Sequence, residues 1–382
     1  MGMELEIPVV FLTENRENVA TKMSYVENDY YKIEGDKSAV AGQMKGIAEV
    51  KGELKEVTYS PTILELVTHP FDEHAPDGLD RFMKTIEAVE LFRAILYNLT
   101  KGYKDPTTLG ALAKGLRLPV RDEYKDYVIN VPTATPRTKE PNTAYAHFTV
   151  GLTLDAVPRA AEWLMGKSLG EYPGVKTHKD VQGVMAALDK YLDRTWEDFQ
   201  SEEEFFPDPV HGRQITSYVY LAATHVQAIE RSKTDRVKGG GSSKNYTPVL
   251  SRASFNNMAA NLSPSAKKYL AKHRANIHDL VLKELLLGSQ EALTYLRDIF
   301  TGSINTQREY FGGMVIKPVE RTGAVDSGLS GPPVEIRGLG TDLDEEGLRE
   351  TAGVLFSASR GQFLVANPTS PIKKDSLFVE RV

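Results

Sequence analysis

Five acidic or imidazole side chains sit in segments that otherwise read as apolar strands. Glu4 and Glu6 stand two apart in MELEIPVVFL (3–12), and Glu65 lies between Leu64 and Leu66 in TILELVTH (62–69). His147 falls within AYAHFTVG (144–151), and Glu335 precedes Ile336 and Arg337 in PPVEIRG (332–338). Residues two apart leave a strand on the same face, so Glu4 points with Glu6 and Glu335 with Arg337. A charge on a buried strand is costly unless it is paired or serves a metal or an anion. Four carboxylates and one histidine on neighbouring strands would supply the hard donors that Mg2+ or Mn2+ takes, and so many carboxylates point to two or more ions. Such ions bridge the phosphates of ATP to protein. Arg337, with Arg137, Lys139 and Arg308, would then offset the phosphate charge.

Each of these residues also has a plainer reading. Glu4 and Glu6 fit an exposed edge strand, and Glu65 fits a solvent-facing position in an alternating one. A single histidine is more often a structural residue than a ligand. Glu335 and Arg337 fit a simple ion pair on one strand. Their joint occurrence is what favours a functional site.

The elements that would position them follow from periodicity. Strands are expected at 3–12, 23–34, 53–59, 62–69, 127–131, 144–151 and 332–338. Asp77 is placed to cap a helix over 78–98, in which Leu79, Phe82, Met83, Ile86, Val89, Phe92 and Leu96 recur at helical spacing to face a sheet. Residues 101–125 read as irregular, and PTATPRTKEPNT (132–143) as a loop. Helices are expected at 155–166, 178–198, 213–232, 264–287 and 289–301. A last one, capped by Asp342 or Asp344, runs to about Phe356. Segment 302–331 is glycine-rich and irregular, and 238–244 (KGGGSSK) reads as a flexible loop that lacks the P-loop spacing but is a candidate lid over a nucleotide. Strand groups separated by helical blocks predict an α+β fold with a helical insertion over about 155–330 of a single catalytic domain.

Composition narrows the class. The 382 residues are 41% hydrophobic and 26% charged, ordinary for a globular protein. A net charge of -6 argues against a nucleic-acid partner. No apolar run is long enough to span a membrane, and the N-terminus has no secretory signal pattern. With no cysteine, thiolate chemistry and disulfides are excluded. Cytoplasmic residence is expected, either in the producing cell or after delivery into a host.

The order of these segments resembles the glutamine synthetase and γ-glutamylcysteine synthetase fold, and in particular its amidoligase-like carboxylate–amine ligases. Gly2-Met3-Glu4-Leu5-Glu6 resembles the G-x-E-x-E strand of that group. Glu65-Leu66-Val67-Thr68-His69-Pro70 resembles its E-L-V-[ST]-x-P segment, with Gly78-Leu79 opening the long helix that follows. His147 resembles the histidine of a central strand, and Val334-Glu335-Ile336-Arg337 the late E-[FIY]-R strand. His147 is followed by Phe148 and Thr149, where the family often has a second histidine or an asparagine nearby, and 195–330 matches no family segment.

The resemblance implies a curved, mainly antiparallel sheet forming half a funnel, backed by helices, with ATP and metal ions at its base. Glu4, Glu6, Glu65, His147 and Glu335 would be metal ligands. Glu65, His147 and Arg337 would be catalytic, with Arg337 steadying the transferred phosphoryl group. The implied reaction has two steps: phosphorylation of a carboxylate by ATP, then displacement of phosphate by an amine. The substrate range runs from amino acids to peptides and protein side chains, including isopeptide formation by a delivered effector. Two alternatives stand beside it: phosphoryl transfer to a guanidino nitrogen on the same fold, and an inactive partner-binding scaffold.

Overall fold

The computed structural model describes residues 1–14, 17–18, 24–37, 44–50, 53–59, 62–102, 105–130, 145–152, 154–167, 173–203, 209–236, 243–251, 254–260, 262–302, 333–336 and 345–360. They form two compact units, Gly2–His147 with Thr341–Glu350, and Phe148–Gly340 with Thr351–Val382. The architecture is α+β, and every strand pairing with a described register is antiparallel.

The first unit is built on a sheet. Strand β1 (Gly2–Glu14) pairs with β2 (Glu17–Asn18), β7 (Thr62–Thr68) and β9 (Val128–Asn130). Beyond β7 come β4 (Tyr31–Lys37) and β3 (Ser24–Glu27). The segment expected as one strand over 23–34 is therefore two. Asn28 breaks it, because its side-chain oxygen accepts from the Tyr30 and Tyr31 amides and turns the chain. Strands β5 (Met44–Val50) and β6 (Glu53–Tyr59) form a separate two-stranded sheet, of which only β6 was expected.

One face of β1, β7 and β4 is apolar. Leu5, Leu64, Leu66 and Ile33 are all fully buried there. Helix α1 (Gly78–Leu99) buries Phe82, Ile86, Val89, Phe92 and Leu96. Phe92 meets Tyr31 of β4 edge to face at 6.0 Å, which sets that stripe of the helix against this face of the sheet. Each such side chain contributes about 1.5–3 kcal/mol by leaving water. Leu79 departs from the expected stripe and is 40% exposed, and Asp77 stands at the cap position without making a capping hydrogen bond. Gly35 is required by close packing: a Cβ there would lie 2.6 Å from Thr62 Cγ2. The stretch expected to be irregular, 101–125, contains β8 (Thr107–Thr108), paired with β9, and α2 (Leu109–Leu116), whose N-terminus is capped by Thr108 accepting from the Ala111 amide.

The second unit is mainly helical. A 3-10 turn (Leu154–Ala156) leads into α3 (Val157–Lys167), followed by α4 (Pro173–Glu203) and α5 (Pro209–Arg236). Helix α5 is buried on all sides from Ser217 to Ile229, as expected of a helix at the centre of a bundle. A second 3-10 turn (Ser243–Tyr246) replaces the end of the expected 238–244 loop. Then come β11 (Val249–Ser251) and α6 (Phe255–Ala260), neither anticipated, and α7 (Pro264–Leu285) and α8 (Gln290–Thr301). Ser263 and Ser289 cap α7 and α8 by accepting from Ala266 and Ala292 amides. Strand β12 (Pro333–Ile336) lies between β11 and β10 (Tyr145–Gly151), and α9 (Glu345–Ser359) follows.

Candidate functional site

The register of the first sheet lines up acidic positions. Glu6 of β1 stands opposite Glu65 of β7, and Glu65 stands opposite Glu34 of β4. Directly opposed residues share a face, with Cβ atoms about 4.5–5.5 Å apart. Glu65 is 1% exposed and Glu34 3%. Glu6 is placed by the backbone register alone. The next row on the same face is Glu4, Val67 and Lys32, with Glu4 half-buried and the Lys32 ammonium 2.5 Å from Glu34 Oε2. This face is the reverse of the one that meets α1, because the period of two sends Leu5, Leu64, Leu66 and Ile33 the other way.

Like charges set directly opposite one another in a sheet are destabilising, and burial compounds the cost. Lys32 offsets one charge of the described pair. The chemistry fits a divalent cation. Mg2+ takes one or two protein carboxylates and completes its shell with water and nucleotide phosphates. Glu34 and Glu65 are two carboxylates of that kind, with one Glu34 oxygen already against the Lys32 ammonium, and among the described residues no group of three or more His, Cys, Asp or Glu side chains gathers into a metal-holding cluster.

Glu34 was not anticipated. The signal lay in Tyr31-Lys32-Ile33-Glu34-Gly35-Asp36, where charged residues alternate with apolar ones as Glu4 and Glu6 do. The alternation was visible, but the pairing with Glu65 is a long-range register that no local pattern carries.

In the second unit, Glu335 is fully buried on the central strand of β11, β12 and β10. It stands between Leu250 and Thr149. The opposite face carries Val334 and Ile336 with Phe148, Val150 and Val249, all buried. His147, which belongs to the first unit, shares its face of β10 with Thr149 by the strand alternation and is half-buried. The end of β11 is fixed from α5: His225 Nε2 accepts from the Ser251 amide at 3.3 Å, and burial holds the His225 imidazole down to about 3.

Arg137, Lys139, Arg308, Arg337, the glycines of the 238–244 segment, and Asp342 and Asp344 lie outside the described residues. The structure thus sets Glu65 with Glu34 and positions Glu4 beside them.

No family model matches the chain, and no curated protein does. Two solved structures are similar in part. One is a Vibrio cholerae toxin from the MARTX/VgrG family, 12% identical, with 79% of this chain and 84% of that chain covered at a TM-score of 0.40. The other is a mutant of the ACD domain of a VgrG Vibrio cholerae toxin in complex with ADP and Mn++, 13% identical, with the same coverage and TM-score. A likeness at this level fixes neither the fold nor the activity of this chain.

Proposed function

We propose that the chain is an ATP- and divalent-cation-dependent ligase that joins a carboxylate to an amine through an acyl phosphate. The observation that carries this reading is the buried, directly opposed pair Glu34 and Glu65, on the sheet face turned away from α1. Two acids held side by side in a strand register, with Lys32 against Glu34, supply carboxylate oxygens of the kind a divalent cation takes. The ions would supply positive charge to the phosphate oxygens as the γ-phosphoryl group moves.

In this proposal Glu34 and Glu65 hold and orient the cation, with Glu4 and Glu6 beside them. His147, Glu335 and Arg337 take the ligand and phosphate-steadying roles that the sequence resemblance assigns, and Arg137, Lys139 and Arg308 contact the nucleotide. A substrate carboxylate oxygen attacks the γ-phosphorus and ADP leaves. The amine nitrogen then attacks the acyl carbon, phosphate leaves, and the nitrogen gives up a proton. Carboxylates are poor electrophiles, so phosphorylation supplies the leaving group that amide formation needs. No protein nucleophile is required, in keeping with a chain that has no cysteine. The curved half-funnel sheet belongs to the same proposal, as do a protein or peptide substrate and action in a cytosol. ADP and Mn++, present in one of the two similar structures, are ligands of that protein and belong to the classes proposed for this one.

The test is phosphate release from ATP and Mg2+ with pooled carboxylates and amines, and mass spectrometry of the product. The expected result is phosphate release that requires both partners and a product equal to acid plus amine less one water. ADP formation with a phosphorylated guanidino product would assign the phosphotransferase instead. Absence of nucleotide binding with Mg2+ would assign an inactive scaffold.

A further inference from the structure

Lys32 stands two residues before Glu34 on the same face of β4, and its ammonium lies 2.5 Å from Glu34 Oε2. The pair is lopsided. The Lys32 side chain is 33% exposed and that of Glu34 is 4% exposed. In the lysine pairs with Asp80, Asp105, Asp122 and Glu291 the acid is between 42% and 98% exposed. Pairs of that kind contribute little, because both charges are already in water. Glu34 is different: burial withholds water from its carboxylate, so its countercharge has to come from a neighbour.

The register offers Lys32 another acid. Glu27 of β3 stands directly opposite it and is exposed. The Glu27 carboxylate accepts from the Ser24 hydroxyl at 3.1 Å and lies 3.4 Å from His69 Nε2. Lys32 reaches along its own strand to the buried acid instead. Its other cross-strand neighbour is Val67, which gives an ammonium nothing to bind. A flexible aliphatic stem thus holds the lysine's charge at Glu34.

An ammonium at this distance fills the position that a divalent cation needs. Mg2+ sits about 2.0–2.1 Å from its oxygen ligands. Two cations on one carboxylate oxygen repel each other. Glu34 and Glu65 are 3% and 1% exposed, whereas Lys32 keeps a third of its side chain in water. The lysine is therefore the member that can leave. We infer that Lys32 is the resident counterion of this acidic pair, and that a divalent cation binds Glu34 by exchange with it, the ammonium swinging out to solvent. The exchange rests on the proposed metal role of Glu34 and Glu65. It does two things for that site. It makes the opposed acids tolerable when no cation is bound, and it weakens uptake of a free cation by the cost of displacing the lysine.

Mn2+ uptake without nucleotide, followed by electron paramagnetic resonance, and thermal melts in EDTA test this in the full chain. Lys32→Met should bind Mn2+ at least ~10-fold more tightly than wild type, because no ammonium has to be displaced. In EDTA it should melt below wild type, and saturating Mn2+ should close that gap. Lys32→Gln, which keeps a polar tip at this partly exposed position, should behave alike and serves if Lys32→Met folds poorly. Lys32→Arg keeps the charge and should bind Mn2+ no more tightly than wild type. Equal affinity in wild type, Lys32→Met and Lys32→Gln would overturn the exchange while leaving the acidic pair as a cation site. Adding Glu34→Gln separates the two ideas: it should abolish the gain seen in Lys32→Met. An Mn2+ affinity that Glu34→Gln changes in neither background would refute the metal role of the acid, and the exchange with it.

Discussion

The two units bury polar groups in different ways. In the helical unit several buried groups are matched donor to acceptor. Ser217, Thr224 and Ser232 of α5 donate to carbonyl oxygens of the preceding turn, on Arg213, Leu221 and Ile229. The Gln227 amide donates to Asp180 Oδ2 at 2.7 Å, and Arg231 donates to the same oxygen. His178 Nδ1 lies 2.8 Å from the Tyr220 hydroxyl and His225 accepts from Ser251. Pairs of this kind hold helices in register and need no ligand to explain them. In the sheet unit, Glu34 and Glu65 set like beside like, and neither can donate to the other when ionised. The matched pairs are explained by the fold itself; the opposed acids, with Lys32 against Glu34, are where the proposed function places a cation.

Substitutions that separate the two kinds of burial should differ in sign as well as size. The largest effect is expected at the acids. Glu65→Gln should reduce metal-dependent ATP turnover by at least ~100-fold, about 2.7 kcal/mol. The melting temperature should be unchanged or higher, because the change removes a buried charge and little volume. Glu34→Gln should act in the same direction. Glu335→Gln should reduce turnover comparably. Steady-state phosphate release and thermal melts measure both quantities; turnover at the wild-type level in Glu65→Gln would return that residue to a structural role.

The matched histidines predict an intermediate effect on stability. Burial holds His178 down to about 4 and His225 down to about 3, from an ordinary 6.5. The unfolded chain therefore binds more protons than the folded one below about pH 6.5. Stability should be flat above that value and fall as pH drops toward 4, by up to about 1.4 kcal/mol per pH unit for each histidine. Thermal melts from pH 8 to 5 should show the decline, and His178→Gln should make it shallower, leaving the His225 contribution. A wild-type melting temperature that does not fall between pH 6.5 and 5 would contradict the assignment.

The smallest effect is expected at the surface. Arg349 of α9 donates to Glu90 of α1 through Nε at 2.8 Å and through Nη2, with its side chain 46% exposed. Arg349→Ala should cost less than about 1 kcal/mol in a denaturant melt, and high salt should remove most of that difference.

Much of the frame was legible from periodicity. The alternation in β1, β7 and β10 placed Glu4, Glu65 and His147 on the faces they occupy, and the 3.6 period gave α1, α4, α5, α7 and α8 to within a few residues, apart from the longer ends of α4 and α5. Short elements were not legible. Strand β11 has three residues and α6 has six, too few for a period to show. Helix α2 was hidden because its eight residues include two glycines, Gly110 and Gly115, and follow a polar stretch. The site was legible in part. Glu65 was conspicuous between two leucines, whereas Glu34 becomes notable only once β4 and β7 pair, and that register is set by the buried face.

Mn2+ binding in the presence of ADP, followed by electron paramagnetic resonance, tests the central claim most directly because it reads the cation and does not depend on knowing the substrates. Wild-type chain should take up Mn2+ with nucleotide, and Glu34→Gln and Glu65→Gln should each weaken that uptake at least ~10-fold without loss of fold. Equal Mn2+ uptake by the wild type and both variants would contradict the assignment of this acidic pair as a metal site.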